Sequence, residues 1–340
     1  MVKILLICNT LKLTLIRNLL TNFEHVAMRK AIRLGTRGSP LALIQAETVR
    51  KKIIESTPNI IQEYEIEIVP IRTSGDWRPE HKERSFNELG GNKGLFTKEI
   101  EEALLENHID FAVHSMKDIA SKLPEALEIA AILERMDPRD AFISPKARTL
   151  EELPSGSIVG TSSLRRQSQI LARRPDLNIV PLRGNIDTRL AKLTQGIADA
   201  TLLAVAGLTR LKAQDRWSSI MDTDMMLPAA AQGAIGIEIR RDDYVINKLI
   251  APLKSSKTMI CISAERAMLK FLDGSCHTPI AALAKLNDYN IVTLEGLVAR
   301  PDGTSLWRFM HSGPSENAEE VGIELGQRFK SVVPSNIFSL

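Results

Sequence analysis

From Ala31 onward the sequence repeats one local grammar: a short run rich in β-branched residues, a turn of Gly, Ser, Thr or Asn, then an amphipathic helical stretch. AIRLGT (31–36) leads to SPLALIQAETVRKKIIES (39–56), and EIEIVPIRT (65–73) leads through a glycine- and charge-rich stretch to KGLFTKEIEEALLEN (93–107). DFAVHS (110–115), SIVGTS (157–162), NIVPLRGN (178–185) and ATLLAVAG (200–207) follow the same plan. Strand-like runs alternating with helical segments specify an α/β protein. At 340 residues the chain exceeds what one core usually organises, so two or three domains are expected. Composition breaks at SPKARTLEELPSGS (144–157) and RRDDYVINKL (240–249) suggest boundaries.

The last hundred residues read differently. A helix, ISAERAMLKFL (262–272), runs into a turn, DGSCHTPI (273–280). Two strand-like runs, AALAKLND (281–288) and YNIVTLEGLVAR (289–300), follow as a hairpin, giving a small α+β third domain. The small-residue-rich stretch LPAAAQGAIGIE (227–238) reads as a crossing back between domains that brings Gln232 near a cleft; a plain packing role is equally open. No internal repeat is legible.

In open α/β sheets ligands sit beyond the carboxyl ends of the strands. The residues there are Arg37 and Ser39, Ser115 to Asp118, Thr161 to Arg166, and Arg183. Residues 161–190 carry six arginines against two aspartates. Guanidinium groups grip carboxylates and phosphates with two parallel hydrogen bonds, so this cluster points to an anionic partner. Arg165, Arg166 and Arg183, beside strand-to-helix turns, are the binding candidates; Arg173 and Arg174 fit a solvated helix face. Ser39, Ser162 and Ser163 sit where helix caps sit, and capping and anion binding can coexist there.

The formal charge of +3 is small and aromatic residues are few and apart from the basic clusters, which speaks against nucleic acid. Cys8, Cys261 and Cys276 show neither metal-ligand nor disulfide spacing, which suits a reducing compartment and no metal site. Residues 1–28 are apolar and basic, yet Lys12 and Arg17 interrupt a membrane span and no small-residue cleavage site follows. They are read as an extension ahead of a start at Met28, with a targeting peptide to an organelle as the alternative.

AVHSMKD (112–118) places Lys117 and Asp118 where a buried strand leaves its sheet. A carboxylate there can stabilise a developing cation while the lysine holds an acid group of the ligand; a solvated turn has the same residues. His114 alternates inward and reads as a core histidine. Cys276 lies in a turn of small residues, where a thiol is accessible and can form a covalent bond, or is simply inert. Cys261 belongs to a helical apolar pattern and reads as core. Gly90-Gly91-Asn92-Lys93-Gly94 looks like a mobile loop carrying Lys93.

Three signals coincide: HSMKD (114–118), VGTSSLRRQSQ with PLRGNIDTRL (159–190), and AERAMLKFLDGSCHTPI (264–280). Together they resemble the porphobilinogen deaminase (hydroxymethylbilane synthase) family. The likeness continues through RLGTRGSPLAL (33–43), TSGD (73–76), DPRDAFIS (137–144) and AVAGLTRL (204–211), and spans the chain from about Ile32. The resemblance implies an enzyme that joins four porphobilinogen molecules head to tail, releasing ammonia, on a dipyrromethane cofactor held by a thioether to one cysteine, by position Cys276. Its catalytic carboxylate matches Asp118, which would stabilise the cations formed as ammonia leaves and as the next pyrrole attacks.

Matching motifs assigns Lys117, Ser115, Thr161, Ser162, Ser163, Arg165, Arg166, Arg183, Gly184 and Arg189 to the cofactor. Arg37, Ser39, Lys93, Arg210 and Gln232 are assigned to the substrate. The implied fold has two periplasmic-binding-protein-like (type II) α/β domains around a cleft, 29–133 with 234–251 and 139–227, plus an α+β domain, 256–340, bearing the cysteine loop. A cytoplasmic monomer without nucleic-acid or membrane partners, feeding a tetrapyrrole-cyclising enzyme, completes the expectation. Two departures stand out: GGNKGLF carries an inserted Asn92, and Ala231 replaces a glycine before Gln232, which strains the turn if positive φ is needed there. The rival readings are a non-enzymatic polycarboxylate-binding protein, needing the arginines but neither Asp118 nor Cys276, and a cysteine-dependent transferase.

Overall fold

The computed structural model describes residues 30–59, 63–75, 95–274 and 278–338. The expectations attached to residues 1–28, Asn92, Lys93 and Cys276 lie outside the described residues. Strand β1 (Lys30–Arg37) feeds helix α1 (Pro40–Ser56), whose start is set by Pro40 in the first turn and by Ser39, whose Oγ accepts from the Ala42 N–H at 3.4 Å. Ala46, Val49 and Ile53 of that helix are fully buried against Leu34, Phe111 and Ile237. Strand β2 (Tyr64–Ile71), helix α2 (Lys98–Leu105), strand β3 (Phe111–Ser115) and strand β4 (Leu127–Ile132) follow.

The chain then passes to a second sheet. Its strands are β5 (Asp140–Ile143), β6 (Ile158–Gly160), β7 (Asn178–Val180), β8 (Ala200–Ala204) and β9 (Ser219–Ile220), with helices α3 (Leu164–Arg173), α4 (Ile186–Thr194) and α5 (Val205–Arg210). It returns through β10 (Ile235–Arg240) to the first sheet, and helix α6 (Tyr244–Ile250) follows.

The sheets have orders β2-β1-β3-β10-β4 and β7-β6-β8-β5-β9. In each, three strands run parallel and the fourth position is filled, antiparallel, by the strand that has just crossed from the other sheet. The same topology therefore occurs twice, although no repeat is legible in the residues. The composition break at 144–157 corrects to a connection between β5 and β6 inside the second sheet; the crossing lies just before, ahead of Asp140.

The third unit opens with α7 (Ser256–Phe271), then β11 (Ile280–Leu286) and β12 (Ile291–Ala299), the expected hairpin. The structure adds β13 (Leu306–Pro314), antiparallel to β12, and α8 (Ala318–Val332). Both helices press on this sheet so closely that a Cβ at Gly296 would lie 2.7 Å from the Met268 sulfur and 2.8 Å from the Phe329 ring. Among the described residues no helix is long and apolar enough to cross a membrane.

Candidate active site

A cleft of about 780 Å3 opens where the carboxyl ends of β1, β2 and β3 face those of β6, β7 and β8. Its first wall carries Arg37, Ser39, Arg72, Phe96, Ser115, Lys117 and Asp118. The opposite wall carries Ser162, Ser163, Arg165, Arg166, Arg183, Gly184, Arg189 and Arg210, and Gln232 comes from the returning crossing. The third unit contributes Leu269, Thr278 and Ile280. Thr161 alone among the described candidates is absent from the wall: it is buried, and its Oγ1 accepts from the Ser163 N–H at 3.1 Å, so it shapes the turn.

On the first wall, β3 ends in a short 3-10 turn, Met116–Asp118, anchored by fully buried Met116. That turn presents Lys117 and Asp118 side by side. The Asp118 carboxylate accepts no hydrogen bond from the described residues. The Lys117 ammonium donates to Gln232 Oε1 at 3.2 Å; burial pulls its pKa down to about 8, with Asp118 opposing and Arg166 reinforcing. Ser115 Oγ is bonded to the Gln45 amide at 2.8 Å, a partner that the helix pattern alone did not reveal. The Arg37 guanidinium lies 4.4 Å from the centre of the Phe96 ring.

On the second wall, Ser163 caps α3, its Oγ accepting from the Arg166 N–H at 3.4 Å. Arg165 and Arg166, each 5% exposed, converge on Asp140, which is fully buried: Arg165 Nη1 reaches Oδ2 at 2.8 Å and Arg166 Nη2 reaches Oδ1 at 2.7 Å. Burial works against the charge of Asp140, yet both guanidiniums hold its carboxyl far below the usual carboxylate range. Arg165 also donates to the Leu227 carbonyl at 2.9 Å. Arg166 Nε and Ser162 Oγ, both buried atoms of cleft-lining residues, have no partner among the described residues.

Arg183 is 3% exposed at the end of β7, and Arg189 Nε donates to the Gly184 carbonyl at 2.9 Å. Gly184 sits at φ +114°, and a Cβ there would meet Thr188 at 2.6 Å, so only glycine fits. Arg210 donates to the Gly233 carbonyl at 2.8 Å, and burial lowers its pKa to about 10, which leaves it charged at neutral pH. Arg173 is exposed, as expected. Arg174 corrects the solvated-face reading: it pairs with Asp176 and donates to the Leu150 and Leu153 carbonyls, clamping a loop.

The crossings are tied together behind the cleft. Gln232 is fully buried, and its Nε2 donates to the Pro138 carbonyl at 2.7 Å and to Asp140 Oδ1 at 3.0 Å. Ala231 adopts φ +62°, the left-handed conformation in which a side chain costs energy. Fully buried Glu265 of α7 accepts from Arg135 at 2.5 and 3.2 Å, from the Ala231 N–H at 2.6 Å and from the Ala284 N–H at 2.8 Å. Asp140, Arg135 and Glu265 are the residues that sequence reading missed. His114 is the core histidine expected, its Nε2 3.0 Å from Glu238 Oε2, and Cys261 is buried, its thiol pushed up by burial. No group of His, Cys, Asp and Glu among the described residues is arranged to hold a metal.

The second wall is thus cationic and multiply branched, and the Asp118 carboxylate stands opposite it. Comparison with known proteins gives this arrangement a context. Residues 32–248 match the family domain described as "Porphobilinogen deaminase, dipyromethane cofactor binding domain", and residues 259–331 match "Porphobilinogen deaminase, C-terminal domain". The protein named porphobilinogen deaminase of Nitrobacter hamburgensis is 48% identical over 307 residues, covering 90% of this chain and 95% of that protein. The chloroplastic porphobilinogen deaminase of Oryza sativa subsp. japonica is 45% identical over 317 residues, covering 93% of this chain and 87% of that protein. Among solved structures, the methionine-binding protein MetQ is similar at 15% identity and a TM-score of 0.40, covering 67% of this chain and 92% of that one.

Proposed function

The chain belongs to the porphobilinogen deaminase family, and from that premise we propose how its residues divide the work. The enzyme is a transferase of tetrapyrrole biosynthesis: it deaminates four porphobilinogen molecules and condenses them head to tail into hydroxymethylbilane, with release of ammonia. Its cofactor is dipyrromethane. When bound, that cofactor supplies the pyrrole carbon on which the product grows. The unpartnered Arg166 Nε and Ser162 Oγ, buried in a wall of converging guanidiniums, fit a ligand whose pyrroles each carry carboxylates. Arg165, Arg166, Arg183, Arg189, Lys117, Ser115, Ser162 and Ser163 would hold it, with Thr161 and Gly184 shaping the turns behind them. The thioether would form at Cys276.

The observation that carries the reading is Asp118. Its carboxylate lines the cleft without a hydrogen-bond donor among the described residues, facing the space that the arginines bound. As ammonia leaves porphobilinogen, positive charge develops on the substrate pyrrole, and a fixed carboxylate there lowers the barrier. The proton lost after each carbon–carbon bond forms can pass to the same oxygen atoms. Arg37, Ser39 and Arg210, with Lys93 of the glycine-rich loop, orient the incoming acetate and propionate, while Gln232, assigned to the substrate by its motif, has its amide committed to Pro138, Asp140 and Lys117 and serves them from behind the wall. The division into 29–133 with 234–251, 139–227 and 256–340 then separates three roles, which are the acid, the arginine wall and the attachment loop.

A non-enzymatic carboxylate binder would use the arginines and leave Asp118 idle; the family relatives stand with the enzyme. A monomer working in the cytoplasm, or in an organelle if residues 1–28 are a targeting peptide, and passing its product to a cyclising enzyme completes the proposal. The test is stoichiometric: the purified chain given porphobilinogen releases four ammonia molecules per linear tetrapyrrole formed. Binding of porphobilinogen without ammonia release would overturn it.

A further inference from the structure

We propose that Gln232 and Asp140 are positioning residues that bridge Lys117, beside the reacting carboxylate, to the Arg165/Arg166 pair across the cleft, so that the arginine site sets the charge state of Lys117. The proposal rests on the reading of the cleft as a polycarboxylate site.

The bridge is built without slack. The Pro138 carbonyl can only accept, so it fixes which end of the Gln232 amide is nitrogen; the oxygen must then face Lys117, 3.2 Å away, and the nitrogen must face Asp140, 3.0 Å away. The Gln232 backbone is held as well, its carbonyl accepting from Arg135 Nε at 2.8 Å and its N–H donating to the Ala229 carbonyl at 3.0 Å. Asp140 turns one oxygen to each arginine, at 2.8 and 2.7 Å, and Oδ1 also accepts from Gln232.

Asp140 thereby keeps two buried guanidiniums side by side before any ligand arrives, and leaves the buried Arg166 Nε without a partner among the described residues. The charged groups acting on Lys117 are Asp118 on its own turn, Asp140 on β5, and Arg165 and Arg166 on α3. The first two favour its ammonium form and the arginines oppose it. An amide at position 232 transmits between these groups without adding a charge of its own. A carboxylate would add one, and an apolar side chain would cut the path.

The test reads Lys117 directly, in the full chain, by its pH-dependent labelling with trinitrobenzenesulfonate followed by peptide mass spectrometry. Only the neutral amine reacts, so the labelling midpoint reports the titration, at about pH 8 in the parent chain. Gln232→Glu is expected to raise the midpoint by about one unit, about fivefold slower labelling at pH 8. Gln232→Met, which removes the acceptor of the ammonium, is expected to lower it by about half a unit or more. The alkaline limb of kcat/KM for porphobilinogen should move with each.

Shifts of opposite sign support the bridge. Midpoints equal to the parent's, or moved in the same direction by both variants, overturn it. If the charged variant does not fold, Gln232→Met alone decides: an unchanged or raised midpoint sinks the proposal. A parent chain that labels as expected but releases no ammonia overturns the function and not the bridge.

Discussion

Glu265 is the residue on which three parts of the chain depend, and Glu265→Gln is the change that measures it. Its fully buried carboxylate accepts from Arg135 of the first crossing, Ala231 of the second and Ala284 of β11. The amide keeps the size but removes the charge, so Arg135, with an 11% exposed side chain, loses its counter-ion. Breaking a buried pair from one side costs about 3–5 kcal/mol. The new NH2 must also face at least one N–H that had an acceptor, which adds about 1–3 kcal/mol.

The total, about 4–8 kcal/mol, is comparable with the whole stability of an ordinary domain, about 5–15 kcal/mol. The assay is urea unfolding of a double-mutant cycle, Glu265→Gln, Arg135→Met and both together, followed by tryptophan fluorescence, to which Trp307 on β13 contributes. The geometry predicts a coupling energy of at least about 3 kcal/mol. A coupling below about 1 kcal/mol would refute the reasoning, because it would mean that the paired charges behave as a solvent-screened contact.

Asp118→Asn keeps the shape of the turn but not its charge; it should fold with the parent's melting temperature and turn over at least about a hundredfold more slowly, checked by ammonia release. The folded pKa of Asp140 is depressed, so its pairing with Arg165 and Arg166 contributes stability above the ordinary aspartate value of about 3.9 and is lost as pH falls through the folded value. Urea midpoints measured downward from pH 4 should therefore fall steeply in the parent and more gently in Asp140→Asn. At Ala231, relief of about 1–2 kcal/mol of left-handed strain in Ala231→Gly is offset by a lost buried methyl, about 0.8 kcal/mol, and greater unfolded freedom, about 0.5–1 kcal/mol. Ala231→Gly should then match the parent within about 1 kcal/mol, whereas β-branched Ala231→Val should lose more than about 2 kcal/mol, both by thermal melting.

What was legible in the sequence is what local chemistry writes there. Runs such as DFAVHS and ATLLAVAG announce strands because β-branched residues fit the pleat, and Ser39 and Ser163 announce helix starts because their side chains cap. Strand β13, LWRFMHSGP, went unread because its apolar residues are half-exposed and mixed with His, Ser and Gly. Helix α8 carried a signal that would have found it: Val321, Leu325 and Phe329 recur every four residues and are buried.

The cleft arginines were legible because strand ends point to ligand sites. Their counter-ion was not: Asp140 is one acid in DPRDAFIS, and only the crossing of β5 into the second sheet brings it under Arg165 and Arg166. The cost at Ala231 was foreseeable as a condition on φ, which the left-handed angle meets.

The measurement that tests the central claim most directly is the intact mass of the purified chain beside its Cys276→Ser variant, each before and after incubation with porphobilinogen. A covalent dipyrromethane predicts added mass on the parent that gives a positive Ehrlich colour and is absent from Cys276→Ser under both conditions. A parent chain whose Cys276 stays unmodified and freely alkylatable after porphobilinogen would contradict the account.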